Sequence, residues 1–266
     1  MKHRFLNRLL NSITVISSLS LAIALLTITP KSIAAREWSE IESQGELKVA
    51  VKNNLRPLGF TQENGNLAGL EIDIAHKLAA ELLGDPAAIK LVPVDNVERL
   101  QVVLKDEVDL AIARVAVTTS RSRIVDFSPY YYLDGTGIVT KNPQIENADS
   151  LPLKRIAVLK NSATIAVIQY RLPNAALIGV ASYAAALELM ETDQVDAFAG
   201  DRSILTGLTQ EYPNYHLLPE RLSGEALAVV MPKGLQYKEL RAKVNQAIAG
   251  WKESGWLQER IEYWGL

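Results

Sequence analysis

The chain of 266 residues carries 28 Lys and Arg against 30 Asp and Glu, and 48% of its residues are hydrophobic. This composition is that of a globular protein and lacks the strong positive charge that nucleic-acid binding needs. The sequence contains no Cys, which excludes disulfides and lipid attachment through a cysteine.

Residues 1–35 are typical of a secretory signal peptide. Lys2, Arg4 and Arg8 precede an apolar stretch from Leu9 to Ile28, and the small-residue exit Ser32-Ile-Ala34-Ala35 follows. We expect cleavage after Ala34 or Ala35 and export to the periplasm. The alternative is an uncleaved anchor, because about twenty apolar positions could span a bilayer. Interrupting Ser and Thr residues favour cleavage.

Cleavage changes the charge of the chain. The 28 cations less the four in residues 1–35 leave 24 against 30 acids, a net charge of −6. Nucleic acid is therefore not expected as a partner. The remaining chain is long enough to bury one large core or two ordinary ones.

The first part of the mature chain predicts a βαβαβ alternation, the pattern of a parallel sheet covered on both faces. The predicted strands are Leu47–Val51, Ile89–Val94 and Val108–Ala113, and the predicted helices are Glu71–Leu83 and Val97–Lys105.

A second α/β unit follows the connecting segment Tyr131–Pro143. Its predicted strands are Ile156–Leu159, Ala176–Val180 and Val195–Gly200, and its predicted helices are Thr164–Tyr170 and Ala184–Glu191.

The tail adds a strand at Ala226–Met231 and helices at Leu240–Trp251 and Trp256–Trp264. If it packs on the first unit, the chain crosses between the units twice, near 131–135 and 225–229. Two crossings make a hinge.

Polar side chains follow the predicted strands, where ligands bind in open α/β sheets. In the first unit these are Lys52, Asn96, Arg99, Arg114 and Arg121, and in the second they are Ser162 and Asp201. We expect them to meet in one cleft. Because a guanidinium does not lose its charge, Arg121 needs an anion from the protein or from a ligand.

The chain resembles the periplasmic solute-binding proteins of polar amino-acid ABC transporters (solute-binding protein family 3) and, more distantly, the ligand core of ionotropic glutamate receptors. The resemblance covers residues 47–266. It rests on Gly69-Leu-Glu-Ile-Asp-Ile-Ala75, Val117-Thr-Thr-Ser-Arg-Ser-Arg-Ile-Val-Asp-Phe-Ser-Pro-Tyr-Tyr131, Ile156-Ala-Val-Leu-Lys-Asn-Ser162 and Val195-Asp-Ala-Phe-Ala-Gly-Asp201.

The resemblance implies an α/β two-lobed periplasmic-binding-protein fold (type II), with a mainly parallel sheet in each lobe and a two-crossing hinge. It implies lobe 1 at 36–131 plus 229–266 and lobe 2 at 132–228. The expected partners are a free amino acid and a membrane permease, and we expect a monomer with no cofactor and no metal.

The resemblance also implies roles for site residues. Arg121 would hold the α-carboxylate in a bidentate pair, Asp201 would take the α-ammonium, and Ser162 would offer a hydroxyl or amide to the carboxylate. The alternatives are a salt bridge from Arg121 to Asp126, and a helix N-cap role for Asp201.

The sequence departs from the family pattern at positions that affect selectivity. Leu55 stands where many relatives have an aromatic lid, Ala116 where they have a ligand-contacting Thr, and Arg114 where they often have a small residue. Arg99 and Lys52 fall where the glutamate- and aspartate-binding branch has cations. Counting four cations against Asp201 alone, we expect an acidic amino acid, with glutamine or another neutral polar amino acid as the alternative.

Each assignment has an ordinary structural alternative. Arg99 could pair with Asp95 and Glu98 on a helix surface. Lys52 could be a solvated loop lysine. Arg114 could fill the pocket, pair with Asp201 or point away. Asn96 could be an N-cap, and Leu55 and Tyr183 could be lid residues.

Two other functions are open to this fold. In a secreted dehydratase-like enzyme, Glu225 or Asp201 would be the proton donor. The sequence has no Ser-His-Asp set, phosphate loop or metal-ligand spacing, so we expect binding without turnover. A sensor module of a receptor is a third possibility, which would need an output segment that we do not find.

Overall fold

The computed structural model describes residues 36–266, and the predicted signal peptide lies outside the described residues. The helices are α1 (Trp38–Gln44), α2 (Leu70–Leu83), α3 (Gln101–Leu104), α4 (Thr164–Arg171), α5 (Tyr183–Glu191), α6 (Arg202–Glu211), α7 (Lys238–Glu253) and α8 (Trp256–Tyr263). The strands are β1 (Leu47–Val51), β2 (Asn54–Leu55), β3 (Gly59–Thr61), β4 (Leu67–Ala68), β5 (Ile89–Pro93), β6 (Leu110–Ile112), β7 (Asp126–Asp134), β8 (Thr136–Thr140), β9 (Arg155–Leu159), β10 (Ala176–Val180), β11 (Ala197–Asp201), β12 (His216–Leu217) and β13 (Glu225–Met231). Over this part of the chain, no helix combines the length and apolarity that a membrane span needs.

The first five-stranded sheet has the order β5-β1-β6-β13-β7. Its first three strands are parallel, β13 pairs antiparallel with β6, and β7 pairs antiparallel with β13. Both faces are covered, because Val49 and Val51 pack into one apolar cluster while Ala50, between them, packs into another. The alternation follows from the two-residue period of a strand.

The second five-stranded sheet, of order β10-β9-β11-β8-β12, repeats this plan. Strands β10, β9 and β11 are parallel, and β8 pairs antiparallel with β11 and β12. Ile138 and Val139 point into different apolar clusters, so this sheet is also covered on both faces. The predicted two-unit α/β fold is confirmed, with two further strands joined to each parallel set by antiparallel pairings.

The chain passes from the first sheet to the second between Asp134 and Thr136, and returns between Leu217 and Glu225. Gly135 lies at the first crossing, and a Cβ there would be 1.9 Å from the carbonyl oxygen of Ser223 on the returning segment. The two crossing segments therefore approach closely only because this residue is glycine. The predicted lobe boundaries, 131/132 and 228/229, fall inside β7 and β13, and the division into lobes stays a prediction.

Several elements differ from the sequence-based expectation. The predicted helix at 97–105 is reduced to the four residues of α3. The residues before α3 form turns instead, in which the carbonyl of Asp95 accepts from the amides of Glu98 and Arg99. The segment 131–143, expected as a connection, contains the whole of β8 and the end of β7. Strand β8 was missed because all five of its residues are buried, so it shows no polar alternation.

Candidate functional site

A cleft with a volume of about 850 Å³ is lined by residues of both α/β units. Six of the ten predicted ligand-binding residues line it: Lys52, Leu55, Asn96, Arg114, Tyr183 and Asp201. The other four, Arg99, Ala116, Arg121 and Ser162, are not part of this lining.

Arg114 is at the centre of the charged groups of the cleft. Its Nη2 atom lies 2.7 Å from Oδ2 of Asp201, 3.3 Å from Oδ2 of Asp134 and 3.9 Å from Oε2 of Glu225. Burial alone would lower the pKa of Arg114, but Asp201 and Asp134 outweigh it and raise the pKa. The pairing with Asp201, one of the alternatives considered from the sequence, is therefore present and joins the two units.

The backbone of Arg114 is held by a buried carboxylate. Arg114 has a left-handed conformation, with φ of 50°, which few non-glycine residues adopt. Its N–H donates to Oε1 of Glu71 at 2.6 Å, and the hydroxyl of Tyr131 donates to the same oxygen at 2.6 Å. Burial raises the pKa of Glu71. Glu71 thus ties the turn that carries Arg114 to the crossing strand β7.

Asp134 connects the crossing strand β7 to helix α6. Its Oδ1 accepts from the amide of Ser203 at 3.0 Å and its Oδ2 accepts from the Ser203 hydroxyl at 2.6 Å. The bond from the Ser203 amide satisfies one of the backbone donors in the first turn of α6, which lack helical partners. Asp201 precedes this helix at the N-cap position but its side chain makes no capping hydrogen bond, so the N-cap alternative is wrong. Burial raises the pKa of Asp201.

The guanidinium of Arg121 has no anionic partner among the described residues. Arg121 starts a short 3₁₀ turn, and its Nη1 donates to the carbonyl of Ala116 at 2.8 Å. The alternative of a salt bridge to Asp126 is wrong, because Asp126 pairs with Arg241 at 2.9 Å. Within residues 36–266, Arg121 forms no ion pair.

Lys52 and Arg99 are both bound to backbone carbonyls. Lys52 is only 3% exposed, and its Nζ donates to the carbonyl of Val94 at 2.8 Å. Nη1 of Arg99 donates to the carbonyls of Ala113 and Arg114. Burial lowers the pKa of both side chains. The alternatives of a solvated loop lysine and of a helix-surface ion pair are therefore wrong.

The remaining predicted residues are in varied environments. Ser162 follows β9, and its hydroxyl oxygen is buried without a hydrogen-bond partner. Asn96 is exposed and is not an N-cap, since α3 begins after Leu100. Ala116 forms an isolated bridge with Leu227. Tyr183 packs edge-on against Phe198.

The expected surplus of positive charge in the cleft is wrong. Lys52, Arg99, Arg114 and Arg121 are accompanied not by Asp201 alone but also by Glu71, Asp134 and Glu225. Four cations thus stand near four acids, and the lining of the cleft itself carries three cations and three acids: Lys52, Arg56, Arg114, Asp95, Asp201 and Glu211. Of the acids that were not counted, Glu71 could have been found, because it shares a helical face with the buried Ala75 and Leu78. Asp134 gave no such signal, since its partners are distant in sequence.

The model of one protein family matches residues 47–266 of this chain. That family is the bacterial extracellular solute-binding proteins, family 3. The chain belongs to this family. It is therefore an amino-acid solute-binding protein of the kind that works with ABC transporters, which confirms the predicted class of protein.

Two curated relatives of this family 3 protein bear names that state a ligand. The glutamine-binding protein of Geobacillus stearothermophilus is 30% identical over 204 residues, which are 76% of this chain and 78% of the relative. The ABC transporter glutamine-binding protein GlnH of Bacillus subtilis (strain 168) is 26% identical over 227 residues, 84% of this chain and 82% of the relative.

The fold of this family 3 protein is shared with solved structures. An ancestral cationic amino acid solute-binding protein matches with a TM-score of 0.72 and 24% identity, over 85% of this chain and 98% of that one. The two-lobed fold is therefore confirmed.

Proposed function

We propose that this protein is the extracytoplasmic substrate-binding component of an amino-acid ABC transporter, which holds a polar amino acid between its two units and delivers it to a membrane permease. One observation supports the proposal most directly. Among the described residues, the guanidinium of Arg121 in the first unit has no anionic partner, and Oδ1 of Asp201 in the second unit accepts no hydrogen bond. A zwitterion satisfies both.

Each of the two groups has atoms left for a ligand. Asp201 uses only Oδ2 for Arg114, and within the described residues 36–266 its Oδ1 accepts no hydrogen bond. The α-ammonium of the ligand can therefore bind Oδ1. Arg121 offers further guanidinium N–H groups besides the one that binds Ala116, and a guanidinium fork matches a carboxylate in a bidentate pair. Binding from both sides favours the closed arrangement of the units.

We propose glutamine, or another amino acid with a neutral polar side chain, as the ligand. The charges in the cleft are balanced, so a second ligand carboxylate has no surplus of cations to neutralise. The names of the two curated relatives point the same way. Glutamate and aspartate are the second candidates, and the observation that favours them is the buried amine of Lys52 in the cavity lining.

Calorimetry with the twenty amino acids tests the ligand class. We expect heat with glutamine, weaker heat with glutamate or aspartate, and none with arginine or lysine. Binding of lysine or arginine alone would contradict the proposal.

Arg121→Gln tests the anchor in the same experiment. Losing a bidentate charged pair removes bonds of roughly 1.5–3 kcal/mol each, so affinity should fall about 100-fold or more. The matched control is Arg123→Gln in the same 3₁₀ turn, where the side chain is exposed. An equal effect of both variants would remove Arg121 from the mechanism.

The dehydratase alternative has one observation in its favour. Burial raises the pKa of both Asp201 and Glu225, as a proton donor in a cleft requires. Incubation of the purified protein with each amino acid that binds, followed by mass spectrometry of the solution, separates the two functions. Unchanged ligand supports transport binding, and a dehydrated product would support catalysis.

A further inference from the structure

Three carboxylates from separate elements converge on the side chain of Arg114. Asp201 ends β11, Asp134 ends β7 and Glu225 begins β13, and each has an oxygen within 4.0 Å of the same Nη2 atom. We propose that Arg114 is a built-in cation which fills a guanidinium subsite beside the ligand's ammonium and thereby excludes amino acids with cationic side chains. The inference rests on the proposed function in one respect, that the ligand occupies this cleft.

The subsite is built from fixed groups. Asp134 is fully buried and held by two hydrogen bonds from Ser203. The backbone of Arg114 is held by the hydrogen bond from its N–H to Oε1 of Glu71, which keeps it in the left-handed region. The carboxylates and the guanidinium are therefore positioned by the fold before any ligand enters.

The number of acids defines what the subsite can accept. Three carboxylates sum to −3, so three positive charges neutralise them, and the guanidinium of Arg114 supplies one of the three. The α-ammonium of the ligand supplies a second at Oδ1 of Asp201. A cationic side chain would have to supply the third charge beside the guanidinium of Arg114, which already occupies the position next to Oδ2 of Asp201 and Oδ2 of Asp134. Repulsion from a neighbouring cation is one way in which a site rejects a competing ligand.

Removing the guanidinium should turn this exclusion into attraction. In Arg114→Ala, three carboxylates would face the space that the side chain leaves, and carboxylates crowded together hold a cation or a proton. The variant should therefore accept a free guanidinium compound in place of its own.

Methylguanidinium is a suitable probe because it has no carboxylate and does not need Arg121. Thermal unfolding of wild type and of Arg114→Ala is followed as methylguanidinium is added, well below denaturing concentrations, with methylurea as the uncharged probe of the same shape. We expect a rise in Tm with methylguanidinium in Arg114→Ala only, and no rise with methylurea. If Arg114→Ala does not fold alone, we expect methylguanidinium to restore a cooperative transition, since a ligand that binds the native state stabilises it.

Two control variants separate a subsite from a general effect. Arg241→Ala removes an arginine paired with the single carboxylate Asp126 at 2.9 Å, and it should not respond to methylguanidinium. Arg114→Lys keeps the positive charge and should not respond either. No response in Arg114→Ala, or an equal response in Arg241→Ala, would overturn the proposal.

A second assay measures selectivity. The affinity of Arg114→Ala for arginine should exceed that of wild type by about tenfold or more, the range expected from one additional charge-assisted bond. Unchanged or weaker arginine binding would contradict the inference. If wild type binds no amino acid, the proposed function fails, while the methylguanidinium assay still tests Arg114.

Discussion

Replacing Asp134 with alanine should destabilise the protein strongly. The change removes two hydrogen bonds to Ser203, at 3.0 and 2.6 Å, and the contact with Arg114 at 3.3 Å. Breaking a buried charged network of this kind costs about 3–5 kcal/mol. The loss of repulsion between Asp134 and Asp201 offsets part of this, so we expect the lower end, about 3 kcal/mol. For a chain of this size, that corresponds to a fall in Tm of roughly 6–12 °C.

Urea unfolding followed by tryptophan fluorescence measures this loss as a change in midpoint. The control is Asp149→Ala, whose side chain is exposed, and it should change the free energy of unfolding by less than about 0.5 kcal/mol. A loss below about 1 kcal/mol for Asp134→Ala, at an unchanged denaturant slope, would refute the role assigned to this carboxylate.

Three further changes have defined outcomes. Tyr131→Phe removes one of the hydrogen-bond donors to the buried Glu71. It should lower the free energy of unfolding, measured by urea titration, by about 1–3 kcal/mol. The control Tyr130→Phe, at an exposed ring, should leave the free energy of unfolding unchanged. Gly207→Ala places a Cβ 2.1 Å from the backbone carbonyl oxygen of Arg56, on the facing wall of the cleft. It should lower the free energy of unfolding by about 1–3 kcal/mol and weaken ligand binding in calorimetry. The control Gly250→Ala, with open space around the new Cβ, should be neutral or stabilising. Burial raises the pKa of Asp201 above 3.8, and only the ionised form of this side chain binds an ammonium. On acidification, ligand affinity should therefore begin to fall at a higher pH than it would if an exposed aspartate held the ammonium. A calorimetric pH series that stays flat down to pH 3.8 would contradict this assignment.

The regular elements could be predicted because their patterns are local. Strands at Leu47–Val51 and Ala176–Val180 have the predicted bounds, and helices near 71–83 and 164–170 differ by one residue at an end. The strand β8 could not be predicted, since a fully buried strand shows no alternation of apolar and polar residues. The short strands β2 to β4 could not be predicted either, since two or three residues are too few to show a two-residue period.

The candidate site could be predicted only in part. The positions of Lys52, Asn96 and Arg114 after their strands follow from chain order, and the sheet brings them to one cleft. Their partners do not follow from chain order. Asp134 and Glu225 reach Arg114 only because the two crossing strands pair with each other, and this long-range pairing changed the expected charge of the cleft.

A crystal structure of the protein with bound glutamine tests the central claim most directly. We expect the ligand's α-carboxylate about 2.7–2.9 Å from the guanidinium of Arg121 and its α-ammonium at a similar distance from Asp201. A ligand bound in the cleft with its α-carboxylate away from Arg121, or with its ammonium held by groups of the first unit alone, would contradict it.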